Sequence, residues 1–225
     1  MIRQVTVGLS RIAALLIIVS AIQVLAFKFA NPPFTVNMVY EWVMGNCFSQ
    51  PYVKPVYIWK DLNQISVHLK KAVLASEDQR FMAHNGFDFR EIRKVVDEAM
   101  ANQGIRGAST ITMQAARSLF LPSSRSIVRK LAEAWYTILM ELFWDKSRIM
   151  EIYLNTVDWG TGVVGAQAGA QAYFSCDARQ LGPAQAALMA AVLPSPHKWS
   201  AKTPGPYVKK RQRWIMAQMP AMPVL

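Results

Sequence analysis

The chain has 225 residues, 52% of them hydrophobic, and a formal net charge of +11 at pH 7. This length fits one domain with a sizeable core, or one domain and an appendage, and the apolar content is high for a wholly soluble protein. The charge favours a polyanionic partner, which would be nucleic acid, an anionic membrane surface or a phosphate-bearing substrate. The two cysteines, Cys47 and Cys176, are too few for a disulfide scaffold, and they fit a single bridge and two free thiols equally well.

The N-terminus contains an uncharged and almost wholly apolar run over residues 12–27. Arg3 and Arg11 precede this run and Lys28 follows it. The uncharged run is slightly short for a full span, but residues 5–29 are long enough to cross a bilayer if Arg11 reaches the interface. A cleaved signal peptide is the alternative, but no small-x-small cleavage site follows cleanly. We therefore predict a membrane anchor over residues 1–30 with the arginines in the cytoplasm, and nucleic acid becomes a poor candidate for the anionic partner.

Residues 31–60 contain several prolines and scattered aromatic side chains, and we predict that they form a membrane-proximal linker. The remaining residues, 61–225, show helical spacing of apolar side chains and few strand-like segments, so the predicted fold class is mainly α. After the helix described next, further helices are predicted at residues 89–100, 111–120, 127–144, 146–155, 166–174, 183–193 and 207–219. In the last of these, Arg211 and Arg213 either add to an anion-binding surface or stay in solvent, and we expect the second.

One acidic residue falls on the apolar face of a predicted helix. Counting in steps of four gives Leu69, Val73, Glu77 and Phe81, so a carboxylate lies between hydrophobic neighbours one turn before and one turn after it. Partial withdrawal from water would make this group a better proton acceptor near neutral pH. The alternative is a helix that frays and leaves Glu77 in water. The next residue, Asp78, points about 100° away on a helix and need not share its role.

A second candidate site begins with a glycine followed by Ser109 and Thr110, which are typical N-cap residues of a helix. The free N–H groups and the dipole of a helix N-terminus attract anions. Thr110, Gln114 and Arg117 are spaced to share one helix face and could line one groove. The alternative is an ordinary N-cap with a solvated polar face.

The helix predicted at 127–144 has its apolar side chains on one stripe, which we expect to face the core: Leu131, Trp135, Ile138 and Leu142. Arg129 and Glu133 lie roughly opposite this stripe. An exposed ion pair of this spacing usually contributes little to the stability of the fold. The number of charges around them nevertheless favours an anion site: Arg125, Arg129, Lys130 and Glu133 lie close together in the sequence.

Metal and nucleotide motifs receive little support. The three histidines are scattered, and no cluster of His, Cys and acidic residues has metal-ligand spacing. Residues 160–165 fit G-x-G-x-x-G, but the preceding segment is spaced like a helix, so we expect a glycine loop there.

Four motifs in order resemble those of the peptidoglycan glycosyltransferases, glycosyltransferase family 51, whose domain is shared with class A penicillin-binding proteins. They are Glu77-Asp78-x-x-Phe81-x-x-His84-x-Gly86-x-Asp88, Gly107-x-Ser109-Thr110-Ile111-Thr112-x-Gln114, Arg129-Lys130-x-x-Glu133 and Lys146-x-x-Ile149-x-x-x-Tyr153-Leu154-Asn155. The resemblance covers about residues 30–219 and is closest to the monofunctional members of Gram-negative bacteria. It implies a lysozyme-like helical catalytic domain over residues 61–225, with a small membrane-embedded jaw subdomain and an N-terminal transmembrane helix.

The resemblance also implies an activity, which is polymerisation of lipid II into β-1,4-linked glycan with release of undecaprenyl diphosphate and anomeric inversion. Glu77 would be the general base, and Glu133 would assist at the leaving group, directly or by orienting cations. The other expected substrate-binding residues are Asp78, Phe81, His84, Ser109, Thr110, Gln114, Arg117, Arg125, Arg129 and Lys130. A divalent cation, Mg or Mn, would fit the diphosphate, and no organic cofactor is expected.

The implied location is the bacterial inner membrane, with a single-pass anchor and a periplasmic catalytic domain. The implied partners are lipid II, glycan linked to undecaprenyl diphosphate, the membrane, and proteins of cell-wall synthesis and division, but not nucleic acid.

Four positions depart from the family pattern: Met113 for glutamine, Arg117 for lysine, Ser118 for asparagine and Gln185 for an acid. None removes a catalytic acid, so we predict activity with an altered rate. A lytic transglycosylase would share the fold and a catalytic glutamate, and a non-enzymatic membrane scaffold would not need Glu77.

Overall fold

The computed structural model describes residues 2–101, 107–124 and 126–225, without the side chains of residues 2–5 and 9. Within this part of the chain there are ten α-helices and three short strands. The helices are α1 (Ile2–Phe29), α2 (Val36–Phe48), α3 (Val67–Glu77), α4 (Phe89–Met100), α5 (Ile111–Phe120), α6 (Ile127–Phe143), α7 (Lys146–Thr156), α8 (Ala166–Phe174), α9 (Pro183–Val192) and α10 (Pro206–Gln218). The strands are β1 (Val56–Tyr57), β2 (Asp158–Gly160) and β3 (Val163–Val164). The mainly α, lysozyme-like prediction is confirmed.

The core is formed by the helices that the sequence makes most apolar. α3 packs against α9 and α10, while α5 packs against α6 and α7. Small residues allow the close approach, since most of the alanines of α9 are fully buried. Side-chain caps begin the helices predicted at 89–100 and 146–155: Asp88 accepts from two N–H groups of α4, and Asp145 accepts from Arg148 N in α7.

The strands form one small sheet in the order β1-β3-β2, with β1 parallel and β2 antiparallel to β3. The glycine run that we expected to form a loop makes the β2–β3 hairpin. Gly162 lies at its turn with φ +72°, a backbone conformation that residues with a Cβ rarely adopt.

Three predicted segments differ from the structure. The linker predicted at 31–60 contains α2, which begins after the N-cap Thr35. α3 begins at Val67, where the Ser66 hydroxyl caps it, and it ends at Glu77 rather than continuing through Phe81. All of α4 is described and none of its residues is buried, so Ile92, Val96 and Ala99, which helical spacing predicts on an inner face, are not part of the buried core.

The N-terminal helix fits a membrane span and is packed on the domain at one end. Residues 6–29 form a helix long and apolar enough to cross a bilayer. Three hydrogen bonds join this helix to α6 and the residue after it: Trp135 Nε1 to Ser20 Oγ (2.9 Å), Tyr136 Oη to Gln23 Oε1 (2.6 Å) and Trp144 Nε1 to the Val24 carbonyl (2.8 Å). α1 is therefore a docked helix at its C-terminal end rather than a free tether.

Arg148 caps the end of α1. Its guanidinium donates to the carbonyl of Phe27 (2.8 and 3.0 Å) and to that of Ala30 (2.8 Å). These are carbonyls that the helix itself leaves unpaired, and a cation is favourable at that end of the helix dipole. An ion pair with Glu151 orients Arg148 in turn.

The orientation predicted for α6 is wrong. The stripe of Leu131, Trp135, Ile138 and Leu142 is exposed, with Leu131 at 67% and Leu142 at 70%. The opposite face is the buried one, and Glu133 on it is fully buried. Periodicity locates an apolar face, but it does not reveal whether that face meets the protein core or the lipid around a neighbouring span.

Both cysteines are free thiols, Cys47 exposed and Cys176 partly buried. Burial, together with the Asp177 carboxylate, raises the pKa of the Cys176 thiol.

Because the thiolate is the nucleophile, we expect a maleimide at pH 7 to label Cys47 first and Cys176 much more slowly. Mass spectrometry over time checks this, and unfolding without reductant should make both thiols reactive. A Cys47→Ser variant that still labels rapidly would contradict the assignment, and an unfolded chain that takes no label would mean a disulfide.

Candidate functional site

Glu77 lies at the last position of α3, where the chain turns out of the helix at Asp78. Its side chain is 12% exposed and its two oxygens have different partners. Oε1 accepts from Ser76 Oγ at 2.7 Å and lies 3.5 Å from Arg211 Nη2. Oε2 accepts from Gln114 Nε2 at 3.0 Å. Both oxygens of Glu77 thus have hydrogen-bond donors in a site that excludes most water.

Tyr153 determines which way the amide of Gln114 points. Its hydroxyl lies 3.3 Å from Gln114 Oε1, so the amide turns its Nε2 toward Glu77. Burial, with a further contribution from Glu77, raises the pKa of Tyr153 well above the usual value. The phenol therefore remains a neutral donor over the working pH range of most proteins.

Asp78 binds the N-terminus of α5. Its Oδ2 accepts from Ile111 N at 3.0 Å, and both of its oxygens lie within 3.1 Å of His84 Nε2. Thr110 is the N-cap: its hydroxyl accepts from Met113 N and donates to the carbonyl of Gly86 at 2.6 Å. The helix N-terminus that we expected to bind a substrate anion already holds a carboxylate of the protein, because Asp78 reaches its first N–H group.

Phe81 is buried in the core, with Lys146 Nζ 4.5 Å from the centre of its ring. Gly86 turns the chain with φ +86°, and a Cβ there would come within 2.7 Å of Thr137 Cγ2. The segment from Glu77 to Asp88 is thus held tightly against α5 and α6. In this structure Asp78, Phe81, His84 and Thr110 are positioned to support the site, and their contact with substrate stays a prediction.

Glu133 is fully buried and holds two cations. Its Oε2 accepts from Arg129 Nη1 at 2.7 Å, and its Oε1 is bound by Lys130 Nζ. The pair that the sequence suggested would be exposed is thus buried on its acidic side, and both cations remain partly accessible. One carboxylate among two cations leaves a local positive charge.

Hydrogen bonds connect the two glutamates. Gln114 Nε2, which donates to Glu77, also lies 3.4 Å from the carbonyl of Ser109. The Ser109 hydroxyl lies 3.4 Å from Lys130 Nζ, which binds Glu133. The structure thus brings together residues from three predicted motifs, although the first and the last of these residues, Glu77 and Glu133, are more than 50 positions apart in the sequence.

A groove of about 640 Å³ opens beside this cluster, and Arg117 and Arg129 lie on its wall. Much of the remaining lining is polar: Asn37, Ser118, Ser123, Thr156, Thr161 and His197. Arg117 is exposed there, at the C-terminal part of α5. The predicted site residue Arg125 lies outside the described residues.

The described residues do not fit a protein-held divalent cation. No group of three or more His, Cys, Asp or Glu side chains is placed to bind one in the part of the chain that the structure describes. Glu133 is already bound to two cations and Glu77 to several hydrogen-bond donors. A metal requirement therefore stays a prediction.

The sequence analysis missed three contributors to the site. Arg211 was expected to stay in solvent, which is wrong, since it contacts Ser76 and Glu77. Tyr153 was named only as part of a motif, and Ser76 was given no role. Arg211 lies 134 residues from Glu77, and no local pattern joins positions so far apart. The basic composition of the last helix was the one available signal.

A helical domain with a half-buried glutamate beside a cationic cluster, docked on an apolar helix of membrane-spanning length, is typical of an enzyme that acts on an anionic substrate at a membrane. The model of a family described as transglycosylase matches residues 48–220. The chain belongs to this transglycosylase family.

Three relatives named as peptidoglycan transglycosylases match this chain over most of its length. A biosynthetic peptidoglycan transglycosylase of Xylella fastidiosa is 45% identical over 203 residues, which cover 90% of this chain and 84% of the relative. One from Pseudomonas putida is 47% identical over 207 residues, covering 89% and 84%. One from Ectopseudomonas mendocina is 43% identical over 219 residues, covering 97% and 90%.

Asp78 should be a main contributor to the stability of the site. Replacing it in Asp78→Ala leaves Ile111 N and His84 without their buried acceptor, and we expect the free energy of unfolding to fall by about 3 kcal/mol. Thermal unfolding of the two proteins in the same detergent measures this. The control Asp97→Ala changes an exposed acid of α4 and should lie within about 0.5 kcal/mol of the parent. Equal midpoints for the two variants would contradict the role given to Asp78.

Proposed function

We propose that this glycosyltransferase polymerises lipid II, transferring the growing glycan from undecaprenyl diphosphate to the 4-hydroxyl of the next lipid II. Family membership and the named activity of the relatives support a peptidoglycan substrate. The observation that carries the proposal is the hydrogen-bonded path from Glu77 through Gln114 and Ser109 to the cationic cluster. This is the arrangement that a base and a leaving anion need, close to each other and linked by the same framework.

Glu77 acts as the general base. As the acceptor oxygen attacks the anomeric carbon of the donor, its proton passes to the Glu77 carboxylate, the new C–O bond forms, and the bond from the anomeric carbon to the diphosphate oxygen breaks. A single displacement of this kind converts an α-linked donor into a β-1,4-linked product. The carboxylate suits the role, because its side chain is 12% exposed and is therefore largely shielded from bulk water.

The cations stabilise the departing diphosphate. Arg129 and Lys130 supply positive charge at the site, and Arg117 supplies more on the wall of the groove. Glu133 has no exposed surface and both oxygens are bound to cations, so we propose that it orients these cations and does not itself protonate the leaving group. The groove beside Arg117, whose lining includes hydroxyl and amide side chains, would hold the sugars of the diphosphate-linked glycan.

The membrane is the second partner. α1 would anchor the chain, and the exposed apolar stripe of α6 would lie against lipid, since α1 packs on the same helix. Arg3 and Arg11 precede the apolar run, which favours a cytoplasmic N-terminus and a periplasmic catalytic domain at the bacterial inner membrane. Interaction with other proteins of cell-wall synthesis and division stays a prediction.

Labelled lipid II tests the function. We expect the parent chain to form polymer and Glu77→Gln to form none, because an amide cannot accept the proton, while both proteins unfold at similar temperatures. Asp97→Asn, which removes an exposed carboxylate, should keep full activity. Breakdown of preformed glycan would instead indicate a lytic enzyme, and neither product would indicate a scaffold. Full polymerisation by Glu77→Gln would refute the base assignment.

The cations are tested separately. Arg117→Gln should raise the KM for lipid II about tenfold, because one charge-assisted contact to phosphate is worth about 1.5 kcal/mol or more. The matched control is Arg179→Gln, which removes an exposed arginine elsewhere on the surface. Polymerisation rates over a range of lipid II concentrations give the KM values. An unchanged KM for Arg117→Gln would exclude this arginine from the diphosphate site.

A further inference from the structure

Arg211 reaches the base from the last helix of the chain. α10 packs on α9 and α3, and from it Arg211 Nη2 donates to Ser76 Oγ at 2.9 Å and lies 3.5 Å from Glu77 Oε1. The side chain is 22% exposed. Its Nε is buried, with no hydrogen-bond partner among the described atoms. An arginine buried to this extent on a serine and a glutamate is not a solvated surface cation.

The two oxygens of Glu77 face different parts of the protein. Oε1 faces α10, where Ser76 donates to it and Arg211 approaches it. Oε2 faces α5, where Gln114 leads through Ser109 to the cationic cluster. The carboxylate is therefore held along one edge by Arg211 and Ser76, while the other edge is turned toward the reacting groups.

We infer that Arg211, acting partly through Ser76, is a positioning residue that holds Oε1 of Glu77 and thereby makes Oε2 the oxygen that receives the proton. The inference rests on the proposed function, because it assigns an orientation to the base of that reaction. Arg211 stabilises the carboxylate until the acceptor hydroxyl arrives. The proton then passes from that hydroxyl to Oε2, and Arg211 stays on Oε1.

Gln114 can yield its place on Oε2 without losing every partner. Its Nε2 lies 3.4 Å from the carbonyl of Ser109, so the amide retains an acceptor when the substrate hydroxyl approaches Oε2. Ser76 is more constrained on the other edge. Its hydroxyl oxygen accepts from Arg211 while its hydroxyl proton is donated to Oε1 of Glu77. The carbonyl of Ala190, at 3.2 Å, is the alternative acceptor for that proton.

Other charged and titratable groups also act on this region. Tyr153 approaches from α7, Arg117 lies on α5 and acts on Tyr153, and Asp78 follows Glu77 in the chain. Tyr153 remains neutral and Asp78 is bound to His84 and to the N-terminus of α5. Among the described residues, Arg211 is the cation that directly contacts the Glu77 carboxylate.

The experiment compares kcat, KM and the pH dependence of kcat/KM for lipid II polymerisation by full-length chains. For Arg211→Gln we expect kcat to fall about tenfold or more, KM to change less than about threefold, and the acid limb of the profile to move up by about one pH unit. The direction follows from charge: without the cation the carboxylate is less stable, so it is protonated at a higher pH. Arg211→Lys keeps the charge and should return the acid limb toward that of the parent.

Arg213→Gln is the matched control, since Arg213 lies on the same helix and is exposed. It should match the parent in all three quantities. Ser76→Ala is the second variant in case Arg211→Gln folds poorly; it removes the bridging hydroxyl, keeps the guanidinium, and should lower kcat several-fold with little change in KM.

Two results would overturn the inference. One is an unchanged acid limb in Arg211→Gln, with any loss of rate explained by a lower unfolding temperature. The other is a rise in KM alone, which would make Arg211 a substrate-binding residue. A parent chain without polymerase activity would remove the proposed function itself, whereas an active parent with an unaffected Arg211→Gln would remove only this inference.

Discussion

The hydrogen bond from Ile111 N to the carboxylate of Asp78 is the contact on which the geometry of the site depends. Asp78 directly follows Glu77, and Ile111 is the first residue of α5. Since Gln114 lies three residues after Ile111 on a rigid helix, a bond at the start of α5 places the amide of Gln114 against Glu77. The helix dipole also favours a carboxylate at a helix N-terminus. The same contact therefore stabilises the fold and aligns Glu77 with α5.

The two faces of α6 lie in different environments. One face buries a carboxylate, which is costly unless cations and hydrogen bonds compensate, and Arg129 and Lys130 provide this compensation. The other face exposes apolar side chains next to α1. In water the exposed apolar face would be unfavourable, whereas at a bilayer, as proposed above, it would lie against lipid while the charged face is turned toward the protein.

Local signals in the sequence predicted much of the fold. Asp88, Thr110 and Asp145 begin their helices where the sequence places them, because a cap depends on residues only two or three positions away. The low exposure of Glu77 agrees with the spacing of Leu69 and Val73 before it, but α3 ends at Glu77, and side chains from α5 and α10 cover its carboxylate. The orientation of α6 could not be predicted in this way, because the same stripe fits a protein core and a lipid surface. The contact of Arg211 with Glu77 joins the third helix to the tenth, and only the packing of α10 on α3 determines it.

The two ends of the chain act on the site from different directions. The C-terminal helix brings Arg211 to the base, while the N-terminal helix is bonded to α6 through Trp135 and Tyr136. Arg129 lies six residues before Trp135 on the same helix, which is a rise of about 9 Å. In the proposed function this short, rigid spacing sets the depth of the cations relative to the anchor. The bilayer surface fixes the depth at which a lipid-linked diphosphate lies in the membrane. A docked anchor, unlike a flexible tether, would therefore keep the cations at the same depth as that diphosphate.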